Sequence, residues 1–221
     1  MTKANVPDRC RIVLIAPEDA TPSAFSDALS QAILGGDIAS LILPRYEMDE
    51  AAFQRLAEAA TPIAQAAGIA VIIAGDTRIA GRVKADGIHV DAKSELADAV
   101  ERFQSKMAVG AGGAKSRDDA LALGEMRPDY LLFGRFGYDK KPEPHPRNLA
   151  LGEWWAEMID LPCIVMAGSD IASVETVART GAEFVALSTA VFGEGIDPRD
   201  AVAKANAFIE QAGPRAAEGE A

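Results

Sequence analysis

Ionisable residues recur where short apolar runs of this chain stop. Asp76 follows AVIIAG and Asp91 follows GIHV. Carboxylate oxygens suit hard cations, so acids at two neighbouring strand ends could share an ion such as Mg²⁺. Asp76 is equally placed to cap a helix, and Asp91 to open a loop. His89 alternates with Ile88 and Val90, so it faces the same way as Asp91, toward a sheet or barrel interior. A lone histidine on a strand reads first as a structural residue, and second as an acid or base. Lys115, in GAKSRDD, follows the next apolar run. It could grip a phosphate or take a proton, or simply lie on the surface at a helix start.

Two other segments carry small residues instead. MAGSDI (166–171) and LSTAVFGEG (187–195) place Gly168, Ser169, Ser188 and Thr189 where apolar runs give way to helical ones. Backbone N–H groups there can point at an anion, and a glycine lets it come close, so these four form a candidate phosphate-binding set. The plainer alternative is a turn glycine with packed hydroxyls. Ahead of both lies RFGYDKKPEPHPRN (135–148). It is long for a strand-to-helix connection, which usually takes roughly two to six residues. It holds Lys140, Lys141, His145 and Arg147 among prolines. That suits a lid closing positive charge over an anion, or a solvated loop stiffened by proline.

Such residues need a frame. The strand candidates are RIVLIA (11–16), IASLILP (38–44), AVIIAG (70–75), GIHV (87–90), MAVGAG (107–112), YLLFGR (130–135), CIVMAG (163–168) and FVALST (184–189). They are short, β-branched and continuously apolar, as parallel strands covered on both faces should be. Helical spacing fills the intervals at 24–34, 49–67 (through Pro62), 77–84, 94–104, 116–126, 149–159, 170–180 and 197–213, with Ser94 and Ser116 as expected caps. This pattern predicts an α/β fold, a single-domain (β/α)8 TIM barrel over residues 1–213 with a flexible tail at 214–221. A doubly wound sheet is the alternative, but it would more often carry GxGxxG after its first strand, and LIAPEDATP has none.

Composition narrows the partners. The 221 residues are 49% hydrophobic, enough for a real core, and carry a net charge of −11. That excess of acid argues against nucleic acid. A small anion needs only a local pocket of donors. Cys10 and Cys163 each open an apolar run and read as buried thiols, so a reducing cytoplasm is the expected setting. The first residues lack the apolar core of a signal peptide. No run approaches the ~18 apolar residues of a membrane span, so no membrane partner is expected.

Taken together, KADGIHVD, RPDYLLFGR, LPCIVMAGSDI and TGAEFVALSTAVFGEGIDP resemble the thiamine phosphate synthase family, which includes the TenI-like thiazole tautomerases. The resemblance runs from about Ala70 to Ile209. It implies a (β/α)8 barrel that binds a small phosphorylated heterocycle. A synthase joins a thiazole phosphate to a pyrimidine pyrophosphate with Mg²⁺. A tautomerase rearranges a thiazole phosphate carboxylate without metal. Both would hold the thiazole phosphate after the seventh and eighth strands.

In a synthase reading, Arg45, Lys140 and Lys141 hold the pyrophosphate and Asp76 with Asp91 hold Mg²⁺. The chain also departs from the pattern. Gly75 and Ser94 fall where the resemblance implies metal-binding acids, Ala92 where it implies a glutamine, and Leu43 and Glu47 flank the retained Arg45. Gly113 and Lys115 replace a serine and a histidine. A non-catalytic phosphate-binding relative, or a metal-independent isomerase using Lys115 or His89, are therefore the alternatives. A second copy of the chain, in a homodimer, is compatible with each.

Overall fold

The eight apolar runs become strands, each paired in parallel with the next in the chain. This is seen in a computed structural model that describes residues 9–91 and 93–214. The strands are β1 (Arg11–Ile15), β2 (Ser40–Pro44), β3 (Ala70–Ala74), β4 (Gly87–Val90), β5 (Ala108–Ala111), β6 (Tyr130–Phe133), β7 (Cys163–Met166) and β8 (Phe184–Leu187). Arg11 to Leu14 of β1 pair with Phe184 to Leu187 of β8, which closes the barrel.

Around it run α1 (Pro22–Ile33), α2 (Glu50–Ala66), α3 (Thr77–Val83), α4 (Lys93–Phe103), α5 (Arg117–Gly124), α6 (Pro146–Met158), α7 (Ser173–Ala178), α8 (Thr189–Phe192) and α9 (Pro198–Ala212). Ser116 caps α5 as expected, its side chain accepting from the Asp119 N–H. Ser94 does not cap α4, which already includes Lys93; the expected boundary was off by a residue. The short α8, directly after β8, was not foreseen. Of the expected tail, residues 215–221 lie outside the described residues. Among the described residues no helix is long and apolar enough to cross a membrane.

Strand alternation produces two cores. One lies between barrel and helices and includes Leu14, Leu43, Phe53, Phe133 and Trp155. The other fills the barrel itself, with Val13, Ile15, Ile42, Ile72, Tyr130, Leu132, Ile164 and Met166. Tyr130 fits inside because β5 offers it glycine: a Cβ on Gly110 would lie 1.9 Å from the tyrosine ring.

Acids placed just before four of the strands, three of them within the family-like segments, sit at the N-terminal rim, opposite the mouth. Asp86, just before β4, accepts the Val71 N–H of β3 at 2.8 Å. Asp129, just before β6, accepts the Val109 N–H of β5 at 2.7 Å. Glu183, just before β8, accepts the Cys163 N–H of β7 at 2.8 Å. Asp37, ahead of β2, takes two bonds from Arg11 of β1 at 2.8 and 2.6 Å. The Arg11 hydrogen bond holds the Asp37 carboxyl below the usual range, so this contact is intact at neutral pH and fades as pH falls through that lowered value. Each acid ties the strand before its own, so ADGIHV, PDYLLF and GAEFVAL owe their acids to barrel stability. Asp129→Ala should leave the Val109 N–H without its acceptor and cost about 1–3 kcal/mol in urea unfolding. An unchanged unfolding midpoint would show that the tie is unimportant.

Candidate functional site

At the C-terminal mouth a cavity of about 1060 Å³ opens between the ends of β2, β3 and β4 and the loop after β6. Its wall carries the guanidiniums of Arg45, Arg78 and Arg135 and the carboxylates of Glu47, Asp49, Asp76, Asp91 and Glu95. Arg45, Asp76 and Asp91, read from sequence as site residues, therefore share one cavity.

Asp76 is held by the start of α3. Its Oδ1 accepts the N–H groups of Arg78 (3.0 Å) and Ile79 (3.2 Å). Its Oδ2 lies 3.6 Å from Arg45 and 3.5 Å from Arg78. Burial pushes this carboxyl up. The two N–H bonds and Arg78 outweigh it and hold the group below the ordinary carboxylate value. Arg45 is further fixed by donating Nε–H to the Met48 carbonyl at 3.0 Å.

His89 stands at the centre of the mouth with its side chain fully buried. Its Nε2 lies 3.2 Å from Asp91 Oδ1 and its Nδ1 lies 3.1 Å from the Tyr130 hydroxyl. A carboxylate only accepts, so Nε2 carries the proton facing Asp91; in the neutral ring Nδ1 then accepts from the Tyr130 O–H. Tyr130 suits this donor role: burial first, then the charges of Asp91 and Asp129, push its hydroxyl far above its ordinary value. Asp91 sits at the outer end, with 62% of its side chain exposed. Burial raises its carboxyl, but the His89 hydrogen bond, the charge His89 bears when protonated and the charge of Arg135 prevail and lower it. Gly112 makes room for the pair, since a Cβ there would lie 2.7 Å from Asp91 and 2.9 Å from His89. The Phe136 ring meets His89 edge-on, 5.2 Å between centroids. Sequence reading aligned His89 with Asp91 but missed Tyr130, 41 residues on. The signal was the pairing of Tyr130 with Gly110, a large interior residue beside a missing side chain.

The carboxylates as placed do not fit a Mg²⁺ held by the protein alone. Both Asp76 oxygens are engaged with backbone N–H or guanidinium groups, and Asp91 faces His89. Among the described residues no group of three or more His, Cys, Asp and Glu gathers to hold a metal.

The other half of the mouth is covered by the chain itself. Thr189 N–H donates to Asp139 Oδ2 at 2.7 Å. Ser169 N–H donates to the Lys141 carbonyl at 2.7 Å, and Asp170 N–H to the Pro142 carbonyl at 3.2 Å. The Ser169 hydroxyl donates to the Lys140 carbonyl at 3.3 Å. Gly168 N–H instead meets the Ser173 hydroxyl at 3.0 Å, and Ser188 is buried at the end of β8. Lys140 and Lys141 are exposed, with the Lys140 ammonium 3.9 Å from Glu18. Lys115 is exposed beside α5, where its N–H donates to Asp119 at 3.0 Å. None of these three lysines lines the cavity.

A (β/α)8 barrel that gathers its polar side chains at the C-terminal mouth belongs to the large class of barrels that handle small ligands there. More narrowly, this chain belongs to the thiamine monophosphate synthase family, whose sequence model matches residues 12–191. It is 31% identical over 199 residues to a thiamine-phosphate synthase of Rhodospirillum centenum, covering 89% of this chain and 96% of that one. It is 32% identical over 211 residues to the same-named protein of Hyphomonas neptunium, covering 91% and 95%. The solved thiamine phosphate pyrophosphorylase of Pyrococcus furiosus superposes with a TM-score of 0.76 at 18% identity, over 93% of this chain and 98% of that one. At that identity the likeness is one of fold.

Tyr130→Phe should leave the buried His89 Nδ1 without its donor and cost about 1–3 kcal/mol of stability. Thermal and urea unfolding check this. A fully neutral substitution would mean that the Tyr130–His89 contact is incidental packing.

Proposed function

We propose that this protein binds phosphorylated heterocycles across its barrel mouth and joins a thiazole-type phosphate to a pyrimidine-type diphosphate. The observation that carries this reading is the large mouth cavity, whose lining includes three arginines, Arg45, Arg78 and Arg135, and the half-buried Phe136. A heterocycle can lie against Phe136, and a diphosphate can take paired bonds from arginine, whose planar fork matches phosphate oxygens. Arg45 is the residue for this task because it is held at the end of β2 by Met48 and already faces an anion, Asp76. Lys140 and Lys141, on the neighbouring loop, supply further charge once they turn toward the ligand. The thiazole phosphate is assigned to Gly168, Ser169, Ser188 and Thr189, at the ends of β7 and β8.

In the joining step the thiazole nitrogen forms a bond to the pyrimidine's methylene carbon, and the carbon–oxygen bond to diphosphate breaks. The electron pair of that bond leaves with the diphosphate. The protein's part is to orient the two rings and to stabilise the departing charge with fixed cations. The carboxylates present do not fit a protein-held metal, so no step is assigned to one.

A second reading, ligand binding without joining, is favoured by one observation. Gly75 and Ser94 stand where the family resemblance implies metal-binding acids. Turnover with thiazole phosphate, pyrimidine diphosphate and Mg²⁺ separates the two. The expected result is thiamine phosphate from the natural chain, with kcat/KM lower by about tenfold or more in Arg45→Ala. No product, beside an active synthase as control, overturns the joining reaction; calorimetric binding of the thiazole phosphate would then support the second reading.

A further inference from the structure

We infer that Asp139 is a built-in competitor for the phosphate at this mouth: its carboxylate stands where a ligand's phosphate would, and a phosphorylated ligand binds at the ends of β7 and β8 only by displacing it. The inference rests on the proposal above that those strand ends receive the phosphate.

Three residues of the segment 139–142 supply the acceptors. The Asp139 carboxylate takes the Thr189 N–H, the Lys141 carbonyl takes the Ser169 N–H, and the Pro142 carbonyl takes the Asp170 N–H. Backbone N–H groups at two strand ends thus meet three oxygens from one loop, one of them anionic. Phosphate would present the same kind of acceptor to the same donors.

The fit is close. Asp139 is only 5% exposed. A Cβ on residue 168 would lie 2.1 Å from the Pro142 oxygen, so the loop seats as it does because residue 168 is glycine. Gly168 was expected to admit a phosphate; the group it admits here is the chain's own carbonyl. The charge of Asp139 is felt locally. Burial first, then its charge and that of Glu18, push the nearby Tyr46 hydroxyl well above its ordinary value.

A phosphate entering beside Asp139 would meet a like charge in a poorly solvated place, and the N–H groups it seeks are taken. Binding is therefore a competition. The measured affinity is the intrinsic affinity reduced by the fraction of molecules whose loop is open. The segment has a natural pivot: Gly137, at φ +77°, precedes it, and Pro146 begins α6 beyond it. Only a ligand with contacts elsewhere in the mouth, such as a ring in the main cavity, repays the displacement. A bare phosphate does not. The residue thus lowers the affinity of any phosphate by the same factor, a threshold that only a ligand with further contacts passes.

Calorimetry with thiazole phosphate, and with inorganic phosphate as a second probe, tests this on the full chain. Asp139→Ala should bind thiazole phosphate about tenfold tighter or more, and inorganic phosphate tighter by about the same factor. Asp139→Asn keeps the shape and an accepting oxygen while removing the charge. It should also tighten binding, and it decides the matter if the alanine variant does not fold. Equal or weaker binding by both variants overturns the inference and leaves the phosphate site standing. No thiazole phosphate bound by the natural chain or either variant, while pyrimidine diphosphate still binds and Arg45→Ala still weakens it, overturns both the inference and the placement of the phosphate.

Discussion

Everything at the mouth depends on β8 closing onto β1. The strands are only four or five residues long, so none could hold a site alone. Once Arg11 to Leu14 pair with Phe184 to Leu187, every strand must end on the same rim. Side chains separated by 41 residues, such as His89 and Tyr130, or groups separated by 50, such as Asp139 and Thr189, then come within hydrogen-bond reach. The N-terminal rim supports the closed barrel with acids that tie β1 to β2, β3 to β4, β5 to β6 and β7 to β8. This division of labour lets the opposite rim carry groups that add little to stability.

The mouth has two unlike halves. Over β2, β3 and β4 it is open, and its charges are paired across short distances. Arg45 and Arg78 face Asp76, and His89 faces Asp91. Carboxylates outnumber guanidiniums there, so an anionic ligand must take over partners that already exist. Over β7 and β8 the mouth is covered by the loop after β6. The same physical requirement explains both halves: buried donors and acceptors need partners, and this chain supplies its own. A ligand therefore exchanges one set of bonds for another, and selectivity comes from how well that exchange balances.

Much of this frame was legible in the sequence because it rests on local pattern. Apolar runs bounded by turns gave eight strands within a residue or two of their observed ends. Alternation correctly aligned His89 with Asp91. The two roles offered for Asp76 were separable only by geometry, and the cap at α3 is what its oxygens do. The misses share a cause. Ser94 failed as a cap because helix ends depend on neighbouring packing as much as on residue type. Tyr130 reads as one more apolar strand residue until Gly110 of β5 is placed beside it and opens the way to His89 on β4. Asp139 lies between glycine, tyrosine and two lysines, in a loop that composition alone presents as basic. Its partner is an N–H at the end of another strand, and no local pattern records that contact. The motif acids of β4, β6 and β8 were visible, but their place on the stabilising rim was not.

A crystal structure of the protein with thiazole phosphate tests the central claim most directly. The phosphate should sit on the Thr189 and Ser169 N–H groups, with Asp139 withdrawn and the segment 139–142 lifted from Gly168. A ligand bound at the mouth with the Asp139–Thr189 contact unbroken, or a phosphate held elsewhere on the barrel, would contradict it.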